Sequence, residues 1–230
     1  MRHEHSCKRT ARTASVCTDL LCAYLTAPIN NKLLIDTMEA DIVVIYDSLY
    51  KLLDHEPTKH PDGASEVLIE TLEYDIGHKL PAELRQLYLY CNGESEVQPG
   101  IFSGYEFLDI DTIYSSIEGL EENAKHTHEL ETWPCHPKNT IRKQPYNPNW
   151  IPFAGDSSGG YIGLDFDPDV KGVQGQIINF GAFEYYRVQV AVGFRALLEE
   201  LQRGYNNKEY HDGAFPGSMS IVDTLIDRYQ

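Results

Sequence analysis

Apolar residues along this 230-residue chain fall at helical spacing in its first half, at strand spacing over 150–191 and at helical spacing again beyond Gly193. Over 41–53 they stand at Ile42, Ile45, Tyr46, Leu49, Leu52 and Leu53, which is one stripe of a helix. Pro61-Asp62-Gly63-Ala64 reads as a turn, and Ser65 is placed to cap a helix carrying Leu68, Ile69, Leu72 and Ile76 that stops at Gly77. Pro81 suits a first helical position, where its missing N–H has no intrahelical partner to lose. The helix it opens presents Leu84, Leu87, Tyr88 and Cys91 and ends at Asn92-Gly93. Short extended runs follow at 101–102 and 105–108, and Asp111 is placed to cap a helix with Ile113, Ile117 and Leu120.

The period then changes. β-Branched and aromatic runs at 150–154, 161–166, 176–180 and 185–191, separated by Gly, Asp and Pro turns, predict an antiparallel meander. Gly193 opens a helix through Phe194, Leu197, Leu198 and Leu201 that Gly204 ends, and Ser218 is placed to cap a last helix with Ile221, Leu225 and Ile226. Helices, then strands, then helices again predict an α+β fold. Five prolines between 132 and 152 exclude a helix or central strand, so 132–149 reads as a proline-rich surface connection or insertion within a single domain over 38–230. Residues 1–37 show no periodicity. They read as a poorly ordered leader or as sequence upstream of a start at Met38.

Charge narrows the class of partner. The net charge is −16. Because 1–37 holds five Lys and Arg against three acids, the remainder has 14 basic and 32 acidic residues, a net of −18. Such a field repels phosphates and argues against direct nucleic-acid binding, while it speeds encounter with basic proteins. No uncharged apolar run approaches the roughly 20 residues of a membrane span, since Asp19 interrupts the stretch 16–27. The cysteines, Cys7, Cys17, Cys22, Cys91 and Cys135, are odd in number and lack CxxC spacing, which fits reduced thiols and a cytoplasmic location.

Chemical motifs fail on their surroundings. Gly155-Asp156-Ser157-Ser158-Gly159-Gly160 resembles two serine-nucleophile strings, but a nucleophile elbow needs a strand followed by a helix, and here a strand follows. The chymotrypsin-like version has one serine too many. Asp165, Asp167 and Asp169 alternate like the start of a calcium loop, yet Val170 and Gln176 stand where its glycine and glutamate belong. His126, His128, Cys135 and His136 match no standard zinc module. No phosphate-binding glycine loop occurs, so no metal or cofactor is expected.

What remains is an ordered series of short motifs. Pro61 to Ser65, Leu80-Pro81-Ala82-Glu83-Leu84-Arg85, Leu87-Tyr88 and Asn92-Gly93 are followed by Trp150-Ile151-Pro152-Phe153-Ala154, Asp156, Gly159-Gly160, Leu164-Asp165 and Gly175-Gln176-Ile177-Ile178. The series, over about residues 41–204, resembles the SMI1/KNR4 family of the SUKH superfamily. The resemblance implies an α+β fold with an antiparallel or mixed sheet flanked by helices, and binding rather than catalysis. It implies two branches: bacterial immunity proteins that neutralise toxins, many of them nucleases, and fungal regulators of cell-wall synthesis and signalling.

Within that pattern Pro81, Asn92, Gly93, Trp150, Gly159, Gly160 and Asp165 are expected to be structural. Partner binding is expected at exposed acids and aromatics in or near turns, namely Glu94, Glu96, Tyr105, Asp156, Asp167 and Asp169. Fold and charge together favour a module that neutralises a basic toxin domain by direct binding. The alternative is a regulatory scaffold in cell-wall synthesis or stress signalling, which a fungal setting would favour; the third reading is a hydrolase built on the Asp156 to Ser158 turn.

Overall fold

The computed structural model describes residues 31–53, 60–94, 100–126, 133–156, 158–181, 184–210 and 219–229, with 31–41 and 126 described as backbone alone. Six helices lie among them: α1 (Asn31–Leu52), α2 (Glu66–Asp75), α3 (Ala82–Tyr90), α4 (Ile110–His126), α5 (Phe194–Asn207) and α6 (Ile221–Tyr229). Six strands form one open sheet: β1 (Glu106–Phe107), β2 (Cys135–His136), β3 (Trp150–Gly155), β4 (Gly160–Asp165), β5 (Gln176–Gly181) and β6 (Arg187–Ala191), in the order β1-β3-β4-β5-β6-β2. The β3 to β6 meander is antiparallel throughout, while β2 joins β6 in parallel, so the α+β fold carries a mixed sheet.

Local chemistry sets most helix ends. Ser65 accepts the Leu68 N–H at 3.2 Å and so caps α2 as its sequence suggests. Pro81 takes the N-cap itself rather than the first helical position; its carbonyl accepts the Arg85 N–H at 2.9 Å, the first bond of α3. Asp109, not Asp111, caps α4: its carboxylate accepts both the N–H and the hydroxyl of Thr112. α6 is closed by a reciprocal box in which Ser220 and Asp223 exchange side-chain and backbone hydrogen bonds, two residues beyond the expected Ser218, which lies outside the described residues. α1 runs unbroken through Met38 from Asn31, so helix extends into the segment read as a leader.

Gly204 does not end α5. The helix continues to Asn207, and Lys208 closes it in a left-handed conformation. Glycine is present at 204 because the Tyr210 ring lies on it: a Cβ there would fall 2.0 Å from the ring. The sequence signal for a stop and for a close contact is the same residue.

The largest core lies between the sheet and the helices and takes in Ile42, Tyr46 and Leu49 of α1, Ile69 and Leu72 of α2, Leu84, Leu87 and Tyr88 of α3, and Phe153, Ile162, Phe194 and Leu198. A second, smaller core of Leu120, Cys135, Ile141, Trp150, Ile178 and Phe180 lies on the other sheet face. This corrects the expectation for 132–149. The proline-rich segment is more than a surface connection: Pro137, Lys138, Arg142, Lys143 and Pro148 are exposed, but it buries Trp133, Cys135, Ile141 and Asn147 and covers the face of the sheet that would otherwise expose Trp150, Ile178 and Phe180. Its prolines leave it irregular, so its buried residues show no period by which burial is read.

Candidate functional site

Asn92, Gly93, Trp150, Gly159, Gly160 and Asp165 lie in turns, at a strand start or in the core. The Gly93 φ of +87° is in the left-handed region, and beside it Asn92 Oδ1 accepts the Ile110 N–H at 3.2 Å, tying the end of α3 to the start of α4. Gly159, with φ of +89°, and Gly160 turn the β3–β4 hairpin; a Cβ on Gly160 would stand 2.8 Å from Asp156 Oδ2. Trp150 and Asp165 face each other across β3 and β4 and both are fully buried.

Asp165 holds that region together. Its Oδ1 accepts the Trp150 indole N–H at 3.1 Å and the Asp167 N–H at 3.0 Å, and its Oδ2 accepts from Gln176 Nε2 at 2.8 Å. Gln176 also donates to the Thr140 carbonyl at 2.8 Å, and its Oε1 accepts from Val173 N–H and Gln189 Nε2. The network therefore joins the loop 166–175 to the sheet and to the proline-rich segment. Burial raises the Asp165 carboxyl pKa, and the three donors oppose that rise.

The expected partner-binding residues divide. Glu94 and Tyr105 are not exposed, which corrects the premise on which they were chosen. The Glu94 carboxylate turns inward and accepts the N–H groups of Ile101, at 3.1 Å, and Phe107, at 3.0 Å, and burial pushes its pKa up to about 7. Tyr105 is 6% exposed and its hydroxyl points at Glu184 Oε1, 3.4 Å away. Asp156 is a turn residue whose Oδ1 accepts from Ser158 N–H, Ser158 Oγ and Gly160 N–H. Asp167 pairs with Arg142 at 2.7 Å and accepts from Asn147, and Asp169 accepts its neighbour's Val170 N–H. Glu96 and Ser157 lie outside the described residues.

These geometries bear on the rejected chemistry as well. The carboxylates of Asp165, Asp167 and Asp169 accept from different donors: Asp165 from Trp150, Gln176 and the Asp167 N–H, Asp167 from Arg142 and Asn147, and Asp169 from the Val170 N–H. Cys135 is buried while the neighbouring His136 stacks on Tyr229 at 5.1 Å, and the side chains of His126 and His128 lie outside the described residues. Among the described residues no group of three or more His, Cys, Asp or Glu is arranged to hold a metal. No helix among them is long and apolar enough to cross a membrane.

A cationic side chain is deeply placed as well. Arg187, fully buried, lies between two indoles, with its guanidinium 4.8 Å from the Trp133 ring and 5.6 Å from Trp150. It donates to the carbonyls of Glu184 and, at 3.1 Å, of Pro145, and burial lowers its pKa to about 10. It anchors the proline-rich segment to β6 by charge and stacking together.

A groove of about 420 Å³ opens where the sheet meets the starts of α3 and α5. Pro81 and Glu83 form one wall, Gln174 and Gly175 another, and Val192 through Ala196 with Glu199 the floor and far rim. Val192 in its lining is 64% exposed, and the loop 166–175 that supplies Gln174 and Gly175 carries two further exposed valines beyond the lining, Val170 at 86% and Val173 at 53%. Sequence reasoning singled out the acids of the loop 166–175 and passed over its valines, whose alternation with turn residues gave no sign of exposure.

The family model of SMI1/KNR4 (SUKH-1) matches residues 63–200. The chain is 30% identical over 132 residues to the cell wall biosynthesis/cell cycle regulator smi1 of Schizosaccharomyces pombe, a match covering 52% of this chain and 26% of that protein. It is 25% identical over 231 aligned positions to a KNR4/SMI1 homolog of Yarrowia lipolytica, covering 74% of this chain and 32% of that one. The chain thus spans between about a quarter and a third of the length of these relatives. With 63–200 making up more than half of its length, the chain belongs to the SMI1/KNR4 family (SUKH-1).

Proposed function

We propose that this chain is a non-catalytic protein-binding module with a regulatory role, and that its partner presents an apolar segment to the groove at the end of the sheet. The observation that supports this is the exposed Val192 in the lining of the groove, with Val170 and Val173 also exposed on the loop that supplies Gln174 and Gly175 to it. An isolated exposed valine is ordinary, but three on the two segments that contribute to one groove offer apolar surface whose burial is favourable. Asp165, Gln176 and Gln189 make the base of those loops rigid, so little ordering entropy opposes binding.

The regulatory reading stands ahead of toxin neutralisation because both relatives are fungal and one carries the name of a cell-wall and cell-cycle regulator. Neutralisation of a basic toxin keeps one specific support, the net charge of −16. The test is a chimera in which this chain replaces the aligning segment of the fission-yeast regulator. The chimera is expected to restore growth under wall stress, and a Val173→Asp/Val192→Asp version, folded as judged by circular dichroism, is expected not to. A folded chimera that fails outright would overturn the regulatory reading, and equal rescue by the aspartate version would overturn the groove.

A further inference from the structure

α2 and α4 leave a second outward face. α2 turns Ile69 and Leu72 into the core, so helical spacing puts Val67, Glu70 and Tyr74 on its opposite side. There Val67 is 72% exposed and Tyr74 85%. α4 turns Ile110, Ile113 and Leu120 inward and Asp111, Glu118, Glu121 and Glu122 outward. The Tyr114 hydroxyl donates to Asp75 Oδ2 at 2.8 Å and holds the two helices edge to edge, which makes the face one platform.

The electrostatics of that platform have one sign. Glu66, Glu70 and Asp75 from α2 join the four acids of α4, and α2 contains no Lys or Arg. Lys125 of α4 is held by Glu122 at 2.8 Å, and Arg85 of α3 stands 3.7 Å from Glu66. Glu70, Asp111 and Glu118 have no cationic partner among the described residues.

We propose that this face docks a lysine- and arginine-rich segment of a partner protein, with an apolar side chain of that segment seated on Val67 and Tyr74. The inference rests on the reading of the chain as a protein-binding module, and not on the groove. Charge complementarity selects the occupant: carboxylates flanking the apolar pair attract cationic side chains, and they repel phosphate-bearing surfaces and acidic segments. The tyrosine ring adds a second attraction specific to cations, since its π face favours a guanidinium or ammonium group above it. Exposed aromatic and apolar side chains supply the anchor that charge alone lacks.

The experiment is fluorescence anisotropy of a labelled peptide alternating Lys, Arg and Leu, titrated with the purified full chain, beside a peptide with Glu in place of Lys and Arg. Binding of the basic peptide alone is expected, weakening by roughly tenfold or more between low and physiological salt. Tyr74→Ala and the double substitution Glu70→Lys/Glu118→Lys should each weaken it by about tenfold or more. Asp169→Lys/Asp227→Lys, which changes net charge equally on other surfaces, should leave affinity within about twofold. Absence of binding to the basic peptide would overturn the proposal. So would equal losses from the two double substitutions, which would assign the attraction to overall charge. The peptide result is independent of the chimera, so failure here with rescue there removes this face and leaves the groove standing.

Discussion

Glu94 makes the chain's stability depend on pH in a calculable direction. Burial raises its folded pKa to about 7 from an ordinary 4.5, so the folded state holds a proton that the unfolded chain releases. The stability it contributes is fully present below about pH 4.5 and is lost as pH rises through about 7, a change on the order of 3 kcal/mol. Glu94→Gln keeps an oxygen for the Ile101 and Phe107 N–H groups but cannot ionise, so its stability should fall less than the parent's between pH 5 and 8. Chemical denaturation of both proteins at the two pH values checks this; parallel pH profiles would exclude it. Asp165 yields a different residue-scale prediction. Alanine there strands three buried donors and should cost about 3–5 kcal/mol. Asparagine should cost nearly as much, because its amide would face Gln176 Nε2, donor against donor, and Gln176 cannot flip without losing its bonds to Thr140, Val173 and Gln189. A melting temperature unchanged in Asp165→Asn would show that Gln176 does reorient.

Within α5, the contact between Gly204 and Tyr210 sets helix propensity against packing. Alanine in a helix interior is worth up to about 1 kcal/mol over glycine. At 204 the added methyl would occupy the place of the Tyr210 ring, whose hydroxyl donates to the Glu200 carbonyl at 2.8 Å. Gly204→Ala is therefore expected to destabilise the chain by about 2 kcal/mol or more, and to become neutral or stabilising when Tyr210→Ala is also present. A double-mutant cycle by denaturant unfolding measures the coupling, and additive effects would refute it. The same pair explains a misreading at this scale. Glycine marks helix ends because it tolerates left-handed backbone, and it marks close contacts because it lacks a side chain; position 204 is the second kind. Lys208, in the left-handed region, performs the stop with a residue that carries no such signal.

Taken whole, the molecule was legible where its periodicity was strong. The α2–α3 pair, the β3–β6 meander and the α5 stripe follow from apolar spacing and turn residues, and Ser65 and Gly159-Gly160 act as their types suggest. Less legible was the proline-rich segment, whose burial depends on Arg187 stacked between Trp133 and Trp150, a contact among residues far apart in the chain. The candidate interaction residues were harder still. Glu94 and Tyr105 have the composition of surface residues, yet Tyr105 is buried and Glu94 is half-buried with its carboxylate turned inward, while Val173, Val192 and Tyr74 have the composition of core residues and face solvent. The sheet carries one consequence for the whole assembly. Its two outermost strands, β1 and β2, are each two residues long, so the long central strands are flanked by stubs that offer almost no free backbone to another chain. Edge strands this short make the sheet a poor template for polymerisation despite its buried, β-branched strands. Recognition through side chains on loops and helices, as proposed above, would let substitution alter specificity without unpairing a strand.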